Sequence, residues 1–246
     1  EELIAMLTLD PDGTSVVASG SATGSLGWTF DGGLETFGFL ADGESLAIAY
    51  ALLADDGEGG TAPATLTITV TGANTAPAFE PADDVTFDLA QGAAPITATA
   101  TLDVVDPDLA DAVSVSIHAT DLVDPSGAFD AADLASMLTL SANPVVASGV
   151  ASGVLTLTFD SGDETFAALA EGETLVFTVT LRADDGRGGT ADLTWIVRIA
   201  GANDAPTAIG APPARHHRDA DPVSFSMAQF FSDLDATDVL AYELDG

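Results

Sequence analysis

The chain has no cysteine among its 246 residues. Disulfide cross-links, thiolate nucleophiles and cysteine-ligated zinc are therefore excluded. It has no lysine either, and five arginines face 39 acidic residues, for a formal net charge of −34. A surface of that sign repels nucleic acid and anionic membranes. Aromatic residues make up only 7% of the chain, which leaves few side chains for an exposed sugar-stacking face. No apolar run approaches the roughly 20 residues of a membrane-spanning helix, and the first residues do not read as a secretory leader. No nucleophile elbow, phosphate loop or zinc motif occurs.

Apolar residues supply 47% of the chain, an ordinary share for a folded protein. So large a negative charge opposes its own compaction and needs counter-charge. Hard divalent cations such as Ca²⁺ supply it economically, because they take clusters of carboxylate and carbonyl oxygens. A merely solvated acidic surface, suited to salty or acidic surroundings, is the plainer reading. The positions of the acids favour the first.

Those positions repeat. Asp55-Asp-Gly-Glu-Gly-Gly-Thr61 returns as Asp184-Asp-Gly-Arg-Gly-Gly-Thr190, an offset of 129 residues. Gly72-Ala-Asn-Thr-Ala-Pro77 returns as Gly201-Ala-Asn-Asp-Ala-Pro206, and Thr29-Phe30-Asp31 as Thr158-Phe159-Asp160, at the same offset. So long a period implies whole domains in tandem.

The coarse pattern predicts an all-β chain. Residues 65–71, 113–117, 155–159, 175–182 and 193–199 alternate polar with apolar at period two, as half-buried strands do. The Asp-Asp-Gly-x-Gly-Gly segments read as Gly-rich hairpin turns. Residues 131–137 form the one helical turn expected, inside a loop insertion at about 118–136 that begins at His118, a structural or exposed residue. Proline in Asn-x-Ala-Pro blocks the ladder and starts a new domain. Residues 1–74 then form the later part of a domain, 75–203 a complete one, and 204–246 the start of a third. The chain reads as a piece of a longer protein, and its first domain has open sheet edges.

The segments Leu169-Ala-Glu-Gly-Glu-Thr-Leu-Val-Phe-Thr-Val-Thr180, Ala183–Thr190 and Ile199–Pro206 together resemble the VCBS repeats of giant bacterial surface proteins. They recur less faithfully at 40–77. Phe230–Asp235 with Leu240–Leu244 is similar to the opening of another cadherin-like or Ig-type domain. The resemblance implies tandem Ig/cadherin-like Greek-key β-sandwiches, secreted to the bacterial surface, with calcium as the bound ion. The Gly-Gly-x-Gly-x-Asp nonapeptides that often end such proteins are absent.

A seven-strand sandwich sends alternate loops to opposite ends. Asp103, Asp106, Asp108 and Asp111 are expected in one loop and Asp184 and Asp185 in the hairpin beside it. Glu171 and Glu173 lie at the other end, where the chain leaves through Asn203 and Asp204. Junction one would combine Asp42, Glu44, Asn74, Asp106, Asp108 and Asp185. Junction two would combine Glu171, Glu173, Asn203, Asp204, Asp233, Asp235 and Asp238. Thr75 stands where junction two has Asp204, so junction one is expected to bind more weakly. The plain alternative is that each of these residues caps a turn.

Other candidates compete poorly. Neighbours in Arg215-His216-His217-Arg218 would point to opposite faces of a strand. Paired carboxylates can hydrolyse glycosides across a cleft, but these repeat with the fold and crowd the domain ends. Trp28 and Trp195 sit in strand patterns and are expected in cores. The expectation is a non-enzymatic, calcium-rigidified extracellular array, the stalk of an adhesin or surface filament. Its partners are calcium and neighbouring domains or chains. In a polymer, Asp55 and Asp56 would join Asp233, Asp235 and Asp238 of a neighbour. The rivals are a glycan- or protein-binding module and a polymerising sheath, S-layer or filament subunit.

Overall fold

The computed structural model describes residues 2–10, 16–17, 19–141, 143–211 and 226–243. The Arg215–Arg218 cluster and Leu244 lie outside them. By its contacts the chain divides into two compact units. One takes in residues 1–75 with Pro107–Asp111, the other 76–106 with 112–246. Among the described residues no helix is long and apolar enough to cross a membrane.

The first unit opens with a short helix α1 (Glu2–Ala5), then β1 (Leu7–Asp10), β2 (Gly27–Phe30), β3 (Ser45–Asp55) and β4 (Thr61–Thr71). β1 pairs with β2, and β3 with β4, as two antiparallel ribbons. Its buried core is small: Phe37, Leu40, Ile48 and Tyr50.

The second unit runs β5 (Ala78–Glu80), β6 (Val85–Ala90), β7 (Thr97–Val105), β8 (Ser114–Val123), α2 (Ala131–Ser136), β9 (Leu138–Leu140), β10 (Ser152–Asp160), β11 (Thr174–Asp184) and β12 (Thr190–Ala200). These make two four-stranded sheets, ordered β5-β7-β10-β9 and β6-β12-β11-β8. The expected Ig/cadherin-like Greek-key sandwich is thus the observed fold. It holds eight strands rather than seven, because the first strand is split. β5 pairs with β7 in one sheet, and after Pro81, which has no N–H for a ladder, β6 pairs parallel to β12 in the other. Alternate residues of β11 and β12 are buried, and Trp195, Phe159, Phe166 and Phe177 fill the centre. β13 (Thr207–Ala208) and β14 (Phe231–Ser232) then form a small antiparallel ribbon.

Two expectations need correction. Residues 118–123 are not insertion but the continuation of β8, which pairs with β11 beyond a register shift at Thr180/Leu181. His-Ala-Thr-Asp-Leu-Val lacks alternation because this edge segment buries little; the ladder, not the pattern, makes it a strand. The insertion is the shorter stretch around α2, which Asp130 caps by accepting the Ala132 amide at 2.8 Å. Trp195 is a core residue, but Trp28 is 49% exposed. Its counterpart at the 129-residue offset, Leu157, is fully buried and paired on both sides by β7 and β9. Among the described residues Trp28 pairs within the ribbon β1–β2 alone.

Candidate metal centre

The hairpin between β11 and β12 builds its own turn. Gly186 and Gly188 take positive φ, 73° and 103°, which side-chain-bearing residues resist. Asp185 Oδ1 accepts the Arg187 amide at 2.7 Å and the Gly189 amide at 3.0 Å. Asp184 Oδ1 accepts the Gly186 amide at 2.7 Å. The first hairpin repeats this: Asp56 Oδ1 accepts the amides of Glu58 at 2.8 Å and Gly60 at 2.9 Å, and Asp55 that of Gly57 at 2.8 Å. Those amides hold the Asp56 carboxyl below the ordinary aspartate range.

The loop after β7 folds back through Asp106 N–H to Ala151 O at 2.9 Å and Asp111 N–H to Asp108 O at 3.0 Å. Asp106, Asp108, Asp111 and Asp185 are all buried. A carboxylate oxygen of Asp106 lies within 4.8 Å of one of Asp185. At an effective dielectric of 20, unit charges at that separation repel by about 3.5 kcal/mol. Carboxylates buried together persist only when paired, protonated or ligated. Two buried acidic oxygens this close suit a hard cation.

The second acidic loop has the same fold. Asp235 N–H donates to Asp233 Oδ1 at 3.2 Å and Asp238 N–H to Asp235 O at 3.1 Å. Asp235 Oδ2 accepts the Asp204 amide at 2.9 Å, as Asp108 Oδ2 accepts the Thr75 amide at 2.6 Å. Asp235 is only 3% exposed, and its Oδ1 is buried without a hydrogen-bond partner. Desolvation, then the charges of Asp235, Asp233 and Glu173, hold the Asp238 carboxyl above the ordinary aspartate range.

The remaining expected residues fall as follows. Asp103 is in β7, not in the loop, exposed and opposite Glu80 and Val154. It is apart from the cluster because the strand runs on through Val105. Asp184, Asp55 and Asp56 are exposed, as are Asp42, Glu44, Glu171 and Asn203; Asn74 is half-buried. Glu44 and Glu173 each accept a turn amide, of Ala41 at 3.1 Å and of Ala170 at 3.0 Å. A Cβ at Gly201 would strike the Leu169 and Ala170 carbonyls; this close approach holds the outgoing chain beside Glu173. Sequence reasoning missed two residues at this end. Gln91 Nε2 donates to Asp204 Oδ2 at 2.6 Å, and Thr237 Oγ1 donates to Glu173 Oε1 at 2.8 Å. Neither belongs to a repeated acidic motif, so spacing carried no signal for them.

No family model and no curated protein sequence matches the chain. Among solved structures it is similar to a protocadherin gammaB7 EC3-6 cis-dimer structure, at 17% identity and a TM-score of 0.40, over 85% of this chain and 44% of that one. It is similar to protocadherin gamma B2 extracellular cadherin domains 3-6, at 18% identity and TM-score 0.41, over 82% and 42%. For human CDH23 EC21-23 the values are 23% and 0.33, over 63% and 43%. The chain spans less than half the length of each.

Proposed function

We propose that this chain is a non-enzymatic segment of an extracellular array of cadherin-like domains, stiffened by Ca²⁺ where successive domains meet. The array comprises residues 1–74, 75–203 and 204–246 as parts of three successive domains. It serves as stalk or structural segment of a bacterial adhesin or surface filament. The observation that carries the reading is Asp235: a nearly buried carboxylate with an unpartnered Oδ1, beside Asp233, Asp238 and Glu173. In water each of these groups would be solvated; together they need a cation.

The residues here would do two things. Asp106 and Asp185 would ligate at one end of the sandwich. Asp233, Asp235, Asp238 and Glu173 would ligate at the other, with the Asp204 amide fixing the Asp235 carboxylate. Ca²⁺ supplies the charge neutralisation and the demand for six to eight oxygens that draws loops and linker together.

Calorimetric titration of the full chain with CaCl₂ tests this. The expected result is binding at more than one site, lost in part in Asp235→Asn. A hundredfold excess of Ca²⁺ over Kd adds about 2.7 kcal/mol of stability. Identical melting and no heat of binding would overturn the reading. A polymerising subunit is the second reading. The exposed Trp28 favours it over a glycan platform, because its offset counterpart faces a core.

A further inference from the structure

Gln91 follows β6 and grips the segment that leaves β12. Its Oε1 accepts the Ala202 amide at 3.1 Å, and its Nε2 donates to Asp204 Oδ2 at 2.6 Å. Its own amide donates to Ala200 O at 2.9 Å. Two further bonds hold the second acidic loop: Ala236 N–H to Ala168 O at 3.1 Å, and Thr237 Oγ1 to Glu173 Oε1 at 2.8 Å. All of these residues lie in the second unit.

We propose that Gln91 is a positioning residue at the centre of a protein-only latch, which orders residues 202–204 and docks the 233–238 loop with no cation bound. A primary amide presents a donor and an acceptor on one side chain, and this site uses both. A carboxylate at 91 would keep the acceptor for Ala202 but set a second negative charge against Asp204. The bond to Asp204 is charge-assisted and correspondingly strong. Thr237 adds a hydroxyl bond that the corresponding Ala110 of the first acidic loop lacks. The latch does not depend on counter-charge, so it goes beyond the calcium reading and does not rest on it.

Amide hydrogen exchange of the full chain in EDTA tests the latch. The amides of Ala202, Asp204 and Ala236 exchange slowly in the wild type. Gln91→Ala speeds all three by about tenfold, the factor a hydrogen bond to a charged group supports, while Val197 in β12 is unchanged. Gln91→Glu speeds Asp204 and Ala236 but leaves Ala202 nearer the wild-type rate. Protection in EDTA that calcium does not increase supports the latch and counts against the calcium reading alone. The proposal is overturned if the wild type in EDTA exchanges at unstructured rates at these amides. It is overturned equally if Gln91→Ala leaves them unchanged, or speeds Val197 as much.

Discussion

The two units carry the same local instructions and reach different ends. Strands β3 and β4 pair Ser45 with Thr71 through Asp55 with Thr61; β11 and β12 pair Thr174 with Ala200 through Asp184 with Thr190. Each pair is the other shifted by 129 residues. Phe37 and Phe166 both take positive φ, 53° and 60°, with Glu35 and Glu164 each accepting the phenylalanine amide at 2.7 Å. Yet Phe166, Leu169 and Phe177 are fully buried, while their counterparts Phe37, Leu40 and Ile48 keep residual exposure around a four-residue core. Asp56 is exposed where Asp185 is 4% exposed. Turns and registers are thus set by local chemistry. The deeper burial belongs to the second unit, whose two four-stranded sheets enclose one core.

The largest effect expected from this difference is in the cores. Leu157→Ala should cost about 2–5 kcal/mol, whereas Trp28→Ala at the equivalent position should stay within about 0.5 kcal/mol. Urea unfolding of both variants decides; equal losses would mean that the first unit packs as tightly as the second. Next come the hairpin acids. Asp185→Ala should weaken Ca²⁺ binding at least tenfold in calorimetry, because it removes a buried ligand, while Asp56→Ala should leave it unchanged. A reversed order would place the site on the wrong hairpin.

The acidic loops differ in their response to pH. Asp238 is held above its ordinary value, so its protonation is favoured in the folded state. In EDTA, acidification through that raised value should stabilise the second acidic loop. In Ca²⁺ the same protonation competes with the ion, so affinity should begin to fall at a pH above the ordinary aspartate range of about 4. Melting curves across that range in each condition should slope in opposite directions, and Asp238→Asn should flatten both. The smallest effects belong to Asp103→Ala, His216→Ala and His217→Ala, which should leave Ca²⁺ affinity within error; a loss at either histidine would move the metal site.

Much of this was legible beforehand. Period-two alternation located β4, β10, β11 and β12, and the repeated Asp-Asp-Gly-x-Gly-Gly marked both hairpins. The spacing Asp106, Asp108, Asp111 against Asp233, Asp235, Asp238 marked two loops that fold alike. What escaped were features set by tertiary pairing. Residues 118–123 are a strand only because β11 lies beside them. The first strand divides because Pro81 breaks its ladder. Gln91 and Thr237 matter through partners 113 and 64 residues away, a distance at which no local pattern speaks.

The most direct test of the central claim is a crystal of this chain grown in CaCl₂ and measured for anomalous scattering. The account predicts peaks beside Asp235 and between Asp106 and Asp185, each with oxygen ligands at about 2.3–2.6 Å. Well-ordered carboxylates with only water between them, in saturating calcium, would contradict it.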